Sequence, residues 1–328
     1  MRKSEIQIVW FKRDLRTTDH KPLFEASKNL IPILPIYVIE NEYWEQPFSN
    51  RRHWHFIHDS LIELRKDLKN LGQSLIIRTG SVTDIFNELL TQFDIISIYA
   101  HEETGNRWTY DRDLNVKNWC NEKNVSLIEY PTNGIVRNLK NRDDWSKVRD
   151  LRMKENLIPK PLSLMPVEGI KDGSIPKKDS PIFKNDFIGK VQKGGRDEAI
   201  KIIKSFINDR GKNYLFNISK PGISENTCSR ISPHLTWGTI SSKEIIKILN
   251  LNKNNNQKNE RKICNKNLNA IKSRLSWRCH FIQKLESQPS IETACMHPFY
   301  DELRKDDINL EYYKAWKEGL TGYPFIDA

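Results

Sequence analysis

The chain has 328 residues, of which 38% are hydrophobic and 29% are charged, and its formal net charge is +11. This length is sufficient for two domains with separate cores, and the composition is typical of a globular protein rather than a disordered or fibrous one. No apolar run approaches the ~20 residues that span a bilayer, and the first eleven residues lack the cleavage site of a secretory signal. We therefore predict a cytoplasmic protein with no membrane partner. The positive charge favours nucleic acid as a partner, although the lysines are spread along the whole chain and also suggest compositional bias.

The first 131 residues alternate between strand-like and helix-like patterns, which predicts a doubly wound parallel sheet. Helical spacings of three and four run from Trp54 to Leu71 and from Val82 to Phe93, and Ser81 is the expected N-cap of the second helix. This region has no G-x-G-x-x-G motif and no P-loop, so neither a classical dinucleotide site nor a triphosphate site is expected in it. The predicted strands are Ile6–Phe11, Ile31–Ile39, Ser74–Thr79, Asp94–Tyr99 and Ser126–Tyr130.

Residues 132–194 are predicted to be an interdomain linker, because six prolines punctuate this stretch and its border and no helix or strand period runs between them. The six prolines are Pro131, Pro159, Pro161, Pro166, Pro176 and Pro181.

From residue 195 to residue 328 the pattern becomes helical. One apolar stripe runs from Ala199 to Phe206, and a second helix contains Ile245 and Leu249 and is capped by Ser241 or Ser242. Residues 250–267 are rich in Asn and Lys and are predicted to be a mobile surface loop. A third helix is marked by Leu268, Ile271, Leu275, Cys279 and Ile282.

The third helix carries the most informative pattern. Arg274, Trp277, Arg278 and Phe281 occupy positions i, i+3, i+4 and i+7, so they form a second stripe beside the apolar one. Guanidinium groups pair with phosphates and an indole stacks on a base, so this face suits a polyanionic aromatic ligand. The alternative is a half-exposed helix whose Trp completes the core and whose Arg side chains are solvated.

A second polar segment runs from Cys228 to Gly238 and places Arg230 between Ser229 and Ser232, just before a helical stretch. Hydroxyl groups and free backbone N–H groups at a helix start can hold a pyrophosphate. An ordinary N-cap is the simpler explanation of the same residues.

Cysteine chemistry gives no site. The five cysteines are odd in number and include no C-x-x-C pair, and Cys295 and His297 have no second pair that would complete a zinc site. Neither a metal site nor a catalytic residue is predicted.

Four blocks resemble the photolyase/cryptochrome family and occur in the family's order. They are Ile8–Arg16 (IVWFKRDLR) followed by Asp19, Cys228–Gly238 (CSRISPHLTWG), Ser273–Phe281 (SRLSWRCHF) and Ala315–Ala328 (AWKEGLTGYPFIDA). The resemblance implies an α/β antenna domain at residues 1–131 and part of a helical FAD-binding domain at residues 195–328, with an antenna pigment that the sequence does not identify.

The resemblance also implies an activity, that of a deoxyribodipyrimidine photo-lyase. Reduced FAD absorbs light and passes an electron to a pyrimidine dimer that is flipped out of DNA. Carried over by position, the implied FAD contacts are Tyr214, Cys228, Ser229, Arg230, Ile231, Ser232, Ile271 and Arg278, and the implied DNA contacts are Arg274, Trp277, Arg278 and Phe281.

Three departures from the family pattern keep alternatives open. Cys228 stands where a Thr is common, and Arg274 stands where many dimer-repairing members have a Glu that accepts hydrogen bonds from the lesion. The sequence also stops soon after the Thr-Gly-Tyr-Pro segment, so we expect truncation, splitting or degeneration of the chain, and in the split case a separate C-terminal half chain as its partner. The alternatives to a photolyase are a cryptochrome-like blue-light photoreceptor without repair, and a non-catalytic remnant that binds a pigment, a nucleotide or a partner chain.

Overall fold

One parallel sheet and a set of helices make up the computed structural model, which describes residues 3–184, 189–255, 263–303 and 307–327. The five strands have the order β3-β2-β1-β4-β5 and are all parallel. They are β1 (Ser4–Phe11), β2 (Ile33–Ile39), β3 (Ile76–Thr79), β4 (Phe93–His101) and β5 (Ser126–Tyr130).

Helices connect the strands of the N-terminal half and form most of the C-terminal half. In the described residues they are α1 (Lys21–Ala26), α2 (Asn41–Glu45), α3 (Arg51–Lys69), α4 (Val82–Gln92), α5 (Arg107–Lys123), α6 (Trp145–Lys154), α7 (Arg196–Asn208), α8 (Tyr214–Asn217), α9 (Pro221–Thr227), α10 (Ser232–Thr236), α11 (Ser242–Asn255), α12 (Asn265–Ser287), α13 (Leu310–Glu318) and α14 (Pro324–Asp327). None of the described helices combines the length and the apolar character needed to cross a membrane.

The sheet is covered on both faces, which explains its continuous runs of Ile and Val. One face packs against α3 through residues such as Trp54 and Leu61, and the other packs against α4 and α5 through Phe86 and Trp119. The doubly wound parallel sheet predicted from the sequence is confirmed, and all five strands lie within two residues of their predicted bounds at either end.

The helical predictions are also largely confirmed. Ser81 accepts a hydrogen bond from the Asp84 amide at 3.2 Å and caps α4. Ser241 caps α11 by accepting from the Glu244 amide at 3.0 Å, and α12 contains the whole predicted apolar stripe. The predicted loop at residues 250–267 is wrong at both ends, because α11 continues to Asn255 and α12 begins at Asn265; residues 256–262 lie outside the described part.

The predicted linker contains a helix that the sequence pattern did not indicate. Helix α6 buries Trp145 against Ile135 and Cys279, so this part of the stretch packs on α12. The rest returns to the sheet domain, where the Met165 carbonyl accepts from the Ile33 amide at 2.9 Å and the Asp172 carbonyl accepts from the Ile77 amide at 2.7 Å. The domain bounds themselves stay a prediction.

Candidate cofactor and DNA-binding site

Helix α12 is the element that organises the candidate site. Its inner stripe, which includes Leu268, Ile271 and Leu275, is buried in the core of the helical region. Trp277 and Phe281 lie outside that stripe and are 52% and 57% exposed. The helical spacing thus separates a buried face from an exposed aromatic face, as the sequence pattern predicts.

The Cys228–Ser232 segment packs against the same core as α12. Ile231 and Tyr214 are buried in the cluster that contains Ile271, and Cys228 contacts that cluster from its edge. The two segments that the sequence singles out therefore converge in space. The structure places Ile231 and Ile271 inside the core rather than at its surface, so their predicted contact with FAD stays a prediction.

Two guanidinium groups accompany the Cys228–Ser232 segment. Arg210 donates to the carbonyl oxygens of Cys228 and Ser229, and burial together with the nearby charge of Arg230 lowers its pKa. Arg230 is exposed, has a φ of +57° and accepts a hydrogen bond from Gln192 through its carbonyl at 2.9 Å. Positive charge therefore lies beside the half-buried Cys228 and Ser229, as a phosphate-binding segment requires.

The predicted helix-start anion site is weaker than the sequence suggests. Helix α10 has only five residues, and no side chain caps its first turn. Ser232 is exposed, and its carbonyl accepts from the Thr236 hydroxyl at 3.0 Å within this short helix. The neighbouring arginines, rather than a helix dipole, are the main source of positive potential here.

Tyr214 links the two segments. The Arg274 guanidinium and Cys228 both lie close enough to the Tyr214 phenol to influence its ionisation. Burial and Cys228 raise the pKa of Tyr214, while Arg274 opposes them. Arg274 therefore connects the exposed aromatic face of α12 to the segment that we expect to hold the cofactor.

The aromatic face of α12 consists of neighbouring rings, which we call the Trp277–Phe281 ledge. The ring centroids of Trp277 and Phe281 are 5.7 Å apart, and His280 lies 6.1 Å from Trp277. Trp145 of α6 supports His280 from behind at 6.1 Å. Flat exposed rings at this spacing can stack on nucleic acid bases.

A cavity of about 550 Å³ lies between the sheet domain and the helical region. Its walls include Trp237 and Phe281, and it receives Arg278, whose Nη2 donates to the Leu235 carbonyl at 3.0 Å. The Nη1 atom of Arg278 is buried and has no hydrogen-bond partner in the described residues. Arg278 thus faces the interdomain cavity, whereas Arg274, about one helical turn earlier on α12, lies beside Tyr214.

Close backbone contact holds the two sides of this cavity together. The Leu15 amide donates to the Trp237 carbonyl at 3.1 Å, and Arg16 donates to the Gly238 carbonyl at 3.0 Å. Gly238 has a φ of +64°, and a Cβ atom there would overlap the Arg13 carbonyl. The glycine that ends the Cys228–Gly238 block is therefore required where the domains meet.

Sequence reasoning missed a buried network at the carboxyl edge of the sheet. The Asp14 carboxylate accepts from His20 Nε2 at 2.9 Å and from His101 Nδ1 at 2.7 Å. Burial raises the pKa of Asp14, but the two histidines outweigh it and hold that pKa well below its usual range; burial lowers the pKa of His101 to about 3. The signal lies in the strand order, since Asp14 follows β1 and His101 ends the adjacent β4.

These three residues also have the composition of a metal site, with ligand atoms within 4.8 Å of one another. However, His20 Nδ1 accepts a hydrogen bond from the Leu23 amide at 3.1 Å, so the proton of the neutral ring is on Nε2. That nitrogen cannot ligate a metal while it donates to Asp14. The cluster is therefore better described as a hydrogen-bonded network.

A second ionic network borders the interdomain cavity. Glu103 pairs with Arg13 and, at 3.1 Å, with Arg112. Burial raises the pKa of Glu103, but Arg13, Arg112 and Lys12 outweigh that effect and lower the pKa to about 2. The buried carboxylate is thus kept ionised and fixes both arginines, of which Arg13 lines the interdomain cavity.

Comparison with known proteins agrees with this geometry. The family model described as DNA photolyase matches residues 7–144, and the model described as FAD binding domain of DNA photolyase matches residues 271–328. The deoxyribodipyrimidine photo-lyase of Halobacterium salinarum is 25% identical over 98% of this chain and 70% of its own length. Cryptochrome-2 of Arabidopsis thaliana is 23% identical over 100% of this chain and 56% of its own length.

A solved structure shows the same fold. The cryptochrome of Synechocystis sp. PCC6803 superimposes with a TM-score of 0.82 at 21% identity, over 100% of this chain and 70% of that one. The chain therefore spans 56% to 70% of the full length of these three relatives. The two family models, the curated relatives and the parallel-sheet-plus-helices architecture agree, and the chain belongs to the photolyase/cryptochrome family.

Proposed function

We propose that this chain is part of a light-driven, FAD-dependent enzyme that acts on pyrimidine dimers in DNA. One observation supports this most directly. Helix α12 presents the exposed Trp277–Phe281 ledge on one side, and on the other it packs against the core that carries Tyr214 and Cys228. Because both groups adjoin α12, a cofactor held by the second group would lie roughly one helix diameter, ~10 Å, from a nucleic acid that stacks on the first.

The residues of the Cys228–Ser232 segment fit the phosphate groups of FAD. Arg210 and Arg230 supply positive charge. The hydroxyl donors are the half-buried Ser229 and the exposed Ser232. Hydrogen bonds from charged donors to phosphate oxygens are among the strongest in proteins. When bound, FAD would supply the light-driven electron, and the protein would hold and orient it.

The DNA side is proposed to consist of Arg274, Trp277 and Phe281; Arg278, which the resemblance assigns to both FAD and DNA, faces the interdomain cavity instead. Trp277 and Phe281 are more than half exposed, so they can stack on a flipped base without any rearrangement of the core. Arg274 lies next to them on the same helix and can approach a phosphate.

A repair assay tests this proposal with a matched control. The flavin-loaded protein is titrated in the dark with an oligonucleotide that contains one thymine dimer, which measures lesion binding, and is then illuminated, so that repair appears as recovery of the thymine absorbance. Trp277→Ala should lower binding of the lesion roughly 10-fold or more, since stacking on an aromatic ring contributes ~1–3 kcal/mol per base. Trp316→Ala removes another exposed indole, on α13, and should leave lesion binding unchanged. Equal losses in the two variants would contradict the proposed DNA face.

A signalling role without repair is the second candidate, and Arg274 is the observation that favours it. Its guanidinium lies beside the Tyr214 phenol and, as a donor only, cannot accept hydrogen bonds from a lesion. If dimer repair is absent in the wild type but appears in Arg274→Glu, the photoreceptor interpretation gains support. Repair by the wild type would exclude it as the sole activity.

The interdomain cavity is our candidate site for an antenna pigment of unidentified class. It combines the aromatic walls of Trp237 and Phe281 with the positive charge of Arg278. These features suit a flat ring system with a negative charge. Arg278→Met should lose a second chromophore from the purified protein and retain the flavin spectrum; retention of both chromophores would contradict this assignment.

The third proposed partner is a separate C-terminal half chain. We propose that it supplies a helical segment that covers residues 298–326. These residues expose many aromatic rings, including Phe299 at 78%. Because such rings gain about 25 cal/mol per Å² on burial, a covering segment would stabilise this region. Mass spectrometry of the native protein and its co-purified chains tests whether a second polypeptide is present.

A further inference from the structure

The chain between β5 and α6 is fixed against α12. The Val136 amide donates to Gln283 Oε1 at 2.7 Å, and Gln283 Nε2 donates back to the Val136 carbonyl at 2.9 Å. Gln283 is completely buried, and the Trp145 indole donates to the Gly134 carbonyl at 2.8 Å. Because a buried amide is satisfied by the backbone of this chain segment, residues 134–144, which we call the entry segment, keep a defined position beside α12.

The entry segment places Arg142 next to the Trp277–Phe281 ledge. Arg142 Nη2 lies 3.4 Å from His280 Nδ1. The His280 ring centroid is 6.1 Å from that of Trp277 and 5.4 Å from that of Phe281. The guanidinium is therefore separated by one aromatic side chain from the rings on which a base is proposed to stack.

Most of the Arg142 guanidinium is available to an outside group. Its contact with His280 is a long hydrogen bond and uses Nη2. Nε and Nη1 make no hydrogen bond within the described residues and, unlike the enclosed donors of Arg149, are open to solvent. The side chain as a whole is half-buried, so it is partly held in place and still presents free donors. Such a guanidinium suits a phosphate group, whose oxygens accept from its N–H fork.

The carboxylates nearest to Arg142 in the sequence have other partners. Asp144 pairs with Lys147 at 2.7 Å, and Asp143 accepts from the Asn141 side chain at 3.0 Å. Arg142 itself forms no ion pair in the part of the chain that the structure describes. Its charge can therefore pair with an anion that comes from outside the protein.

We propose that Arg142 binds a backbone phosphate of the nucleic acid strand whose base stacks on Trp277, so that the entry segment forms a second wall of the DNA face. This inference rests on the proposed function and adds to its DNA face a residue from outside α12. A base is joined to its phosphate through one sugar, which agrees with the single aromatic side chain between Arg142 and Trp277. Arg142 is a binding residue here, and no catalytic step is assigned to it.

A phosphate contact and a stacking contact have different signatures in a binding titration. The phosphate contact carries no information about the base, so its loss weakens damaged and undamaged DNA by the same factor. It also lowers the slope of log affinity against log salt concentration by roughly 0.9. Loss of stacking acts on the flipped base and leaves that slope unchanged.

Fluorescence anisotropy titrations of the full chain, with a duplex that contains one thymine dimer and with its undamaged counterpart, test the proposal over about 50 to 200 mM salt. Arg142→Gln keeps an amide that can donate to His280 and removes the charge, so both affinities should fall by roughly 5-fold and the slope by roughly 0.9. Arg142→Lys keeps the charge and should retain most of the affinity. Trp277→Ala should lose the preference for the dimer at the wild-type slope. Lys201→Gln removes an exposed charge on α7 and should match the wild type in both respects.

A chemical measurement on the wild type does not depend on how a variant folds. Phenylglyoxal reacts with accessible arginine side chains, and mass spectrometry locates the modified residues. Bound DNA should protect Arg142 from the reagent. Arg78 is also half-buried but lies on the edge strand β3, so its reactivity should be the same with and without DNA.

The outcomes separate this inference from the function on which it rests. Unchanged affinity and slope in Arg142→Gln, or equal modification of Arg142 with and without DNA, would overturn the inference and leave the proposed function standing. Loss of dimer preference at the wild-type slope would show that Arg142 only supports the ledge, which also refutes the phosphate contact. A slope that depends on Arg142 in a protein that neither prefers nor repairs the dimer contradicts the proposed function alone. A wild type that binds no DNA contradicts both.

Discussion

The sheet domain buries its aromatic side chains, whereas the described residues from 289 to 327 expose most of theirs. Phe86 in the sheet domain is completely buried between α4, α5 and the sheet, whereas Phe299 is 78% exposed. A parallel sheet provides two large apolar faces, and helices on each side can cover them fully. The short helices of the second region have no such platform. We therefore expect the stability of the molecule to reside mainly in the sheet domain, and the surfaces that bind other molecules to lie in the helical region.

The sharpest test of this comparison is a pair of identical substitutions. Phe86→Ala should lower the free energy of unfolding by roughly 3–5 kcal/mol, because it leaves a cavity in a packed core. Phe299→Ala should change it by less than about 0.5 kcal/mol, because the ring is already in solvent. Urea unfolding followed by circular dichroism measures both. A large loss in Phe299→Ala would show that the second region is packed in solution and would break the comparison.

The boundary between the two regions provides the next test. Gly238→Ala should destabilise the protein by about 3 kcal/mol or more, since a side chain at positive φ is strained and its Cβ would overlap the Arg13 carbonyl. Gly222→Ala is the control, because nothing lies within 4 Å of the position that its Cβ would take. If both variants unfold at the wild-type urea concentration, the two regions are not held together through Gly238.

A pH series examines the buried network at the same boundary. His101 has its pKa lowered by burial to about 3, and burial also lowers the pKa of His20. The unfolded chain therefore binds more protons than the native one below the ordinary histidine pKa of ~6.5, so stability is complete above that pH and is lost as the pH falls toward 3. By pH 5, His101 alone should cost about 2 kcal/mol.

Unfolding free energies measured at pH 7.5, 6 and 5 check this expectation. His101→Gln cannot take up the proton, so its stability should fall less steeply with acidification than that of the wild type. His297→Gln replaces an exposed histidine and should keep the wild-type slope. Parallel slopes in all three proteins would contradict the assignment.

The sequence predicts those parts of the fold in which one physical rule decides the outcome. The strands are predictable because both faces of the sheet are buried, so their residues form continuous apolar runs. Helix α5 was missed because its inward face includes Thr109 and Asp113, which break the apolar stripe. Helix α6 was missed for a related reason, since its buried residues include Arg149.

The candidate site likewise has one part that sequence patterns predict and another that they do not. The exposed face of α12 could be read from helical spacing alone, because Trp277 and Phe281 are one turn apart. Its convergence with Cys228 was expected only through the family resemblance. The pairing of Asp14 with His101 joins residues 87 positions apart and depends on β1 lying beside β4, which local patterns do not encode.

The smallest expected effect concerns two serines at helix starts, one in each region. Ser81 accepts from the Asp84 amide and caps α4, so Ser81→Ala should cost about 1 kcal/mol in unfolding free energy. Ser232 begins α10 without a capping side-chain bond, so Ser232→Ala should cost less than about 0.5 kcal/mol. The same hydroxyl is proposed to contact the cofactor, and Ser232→Ala should therefore weaken FAD binding, measured by flavin fluorescence, while Ser81→Ala leaves it unchanged. The opposite pattern, a destabilised Ser232→Ala with full flavin affinity, would show that this serine supports the fold rather than the site.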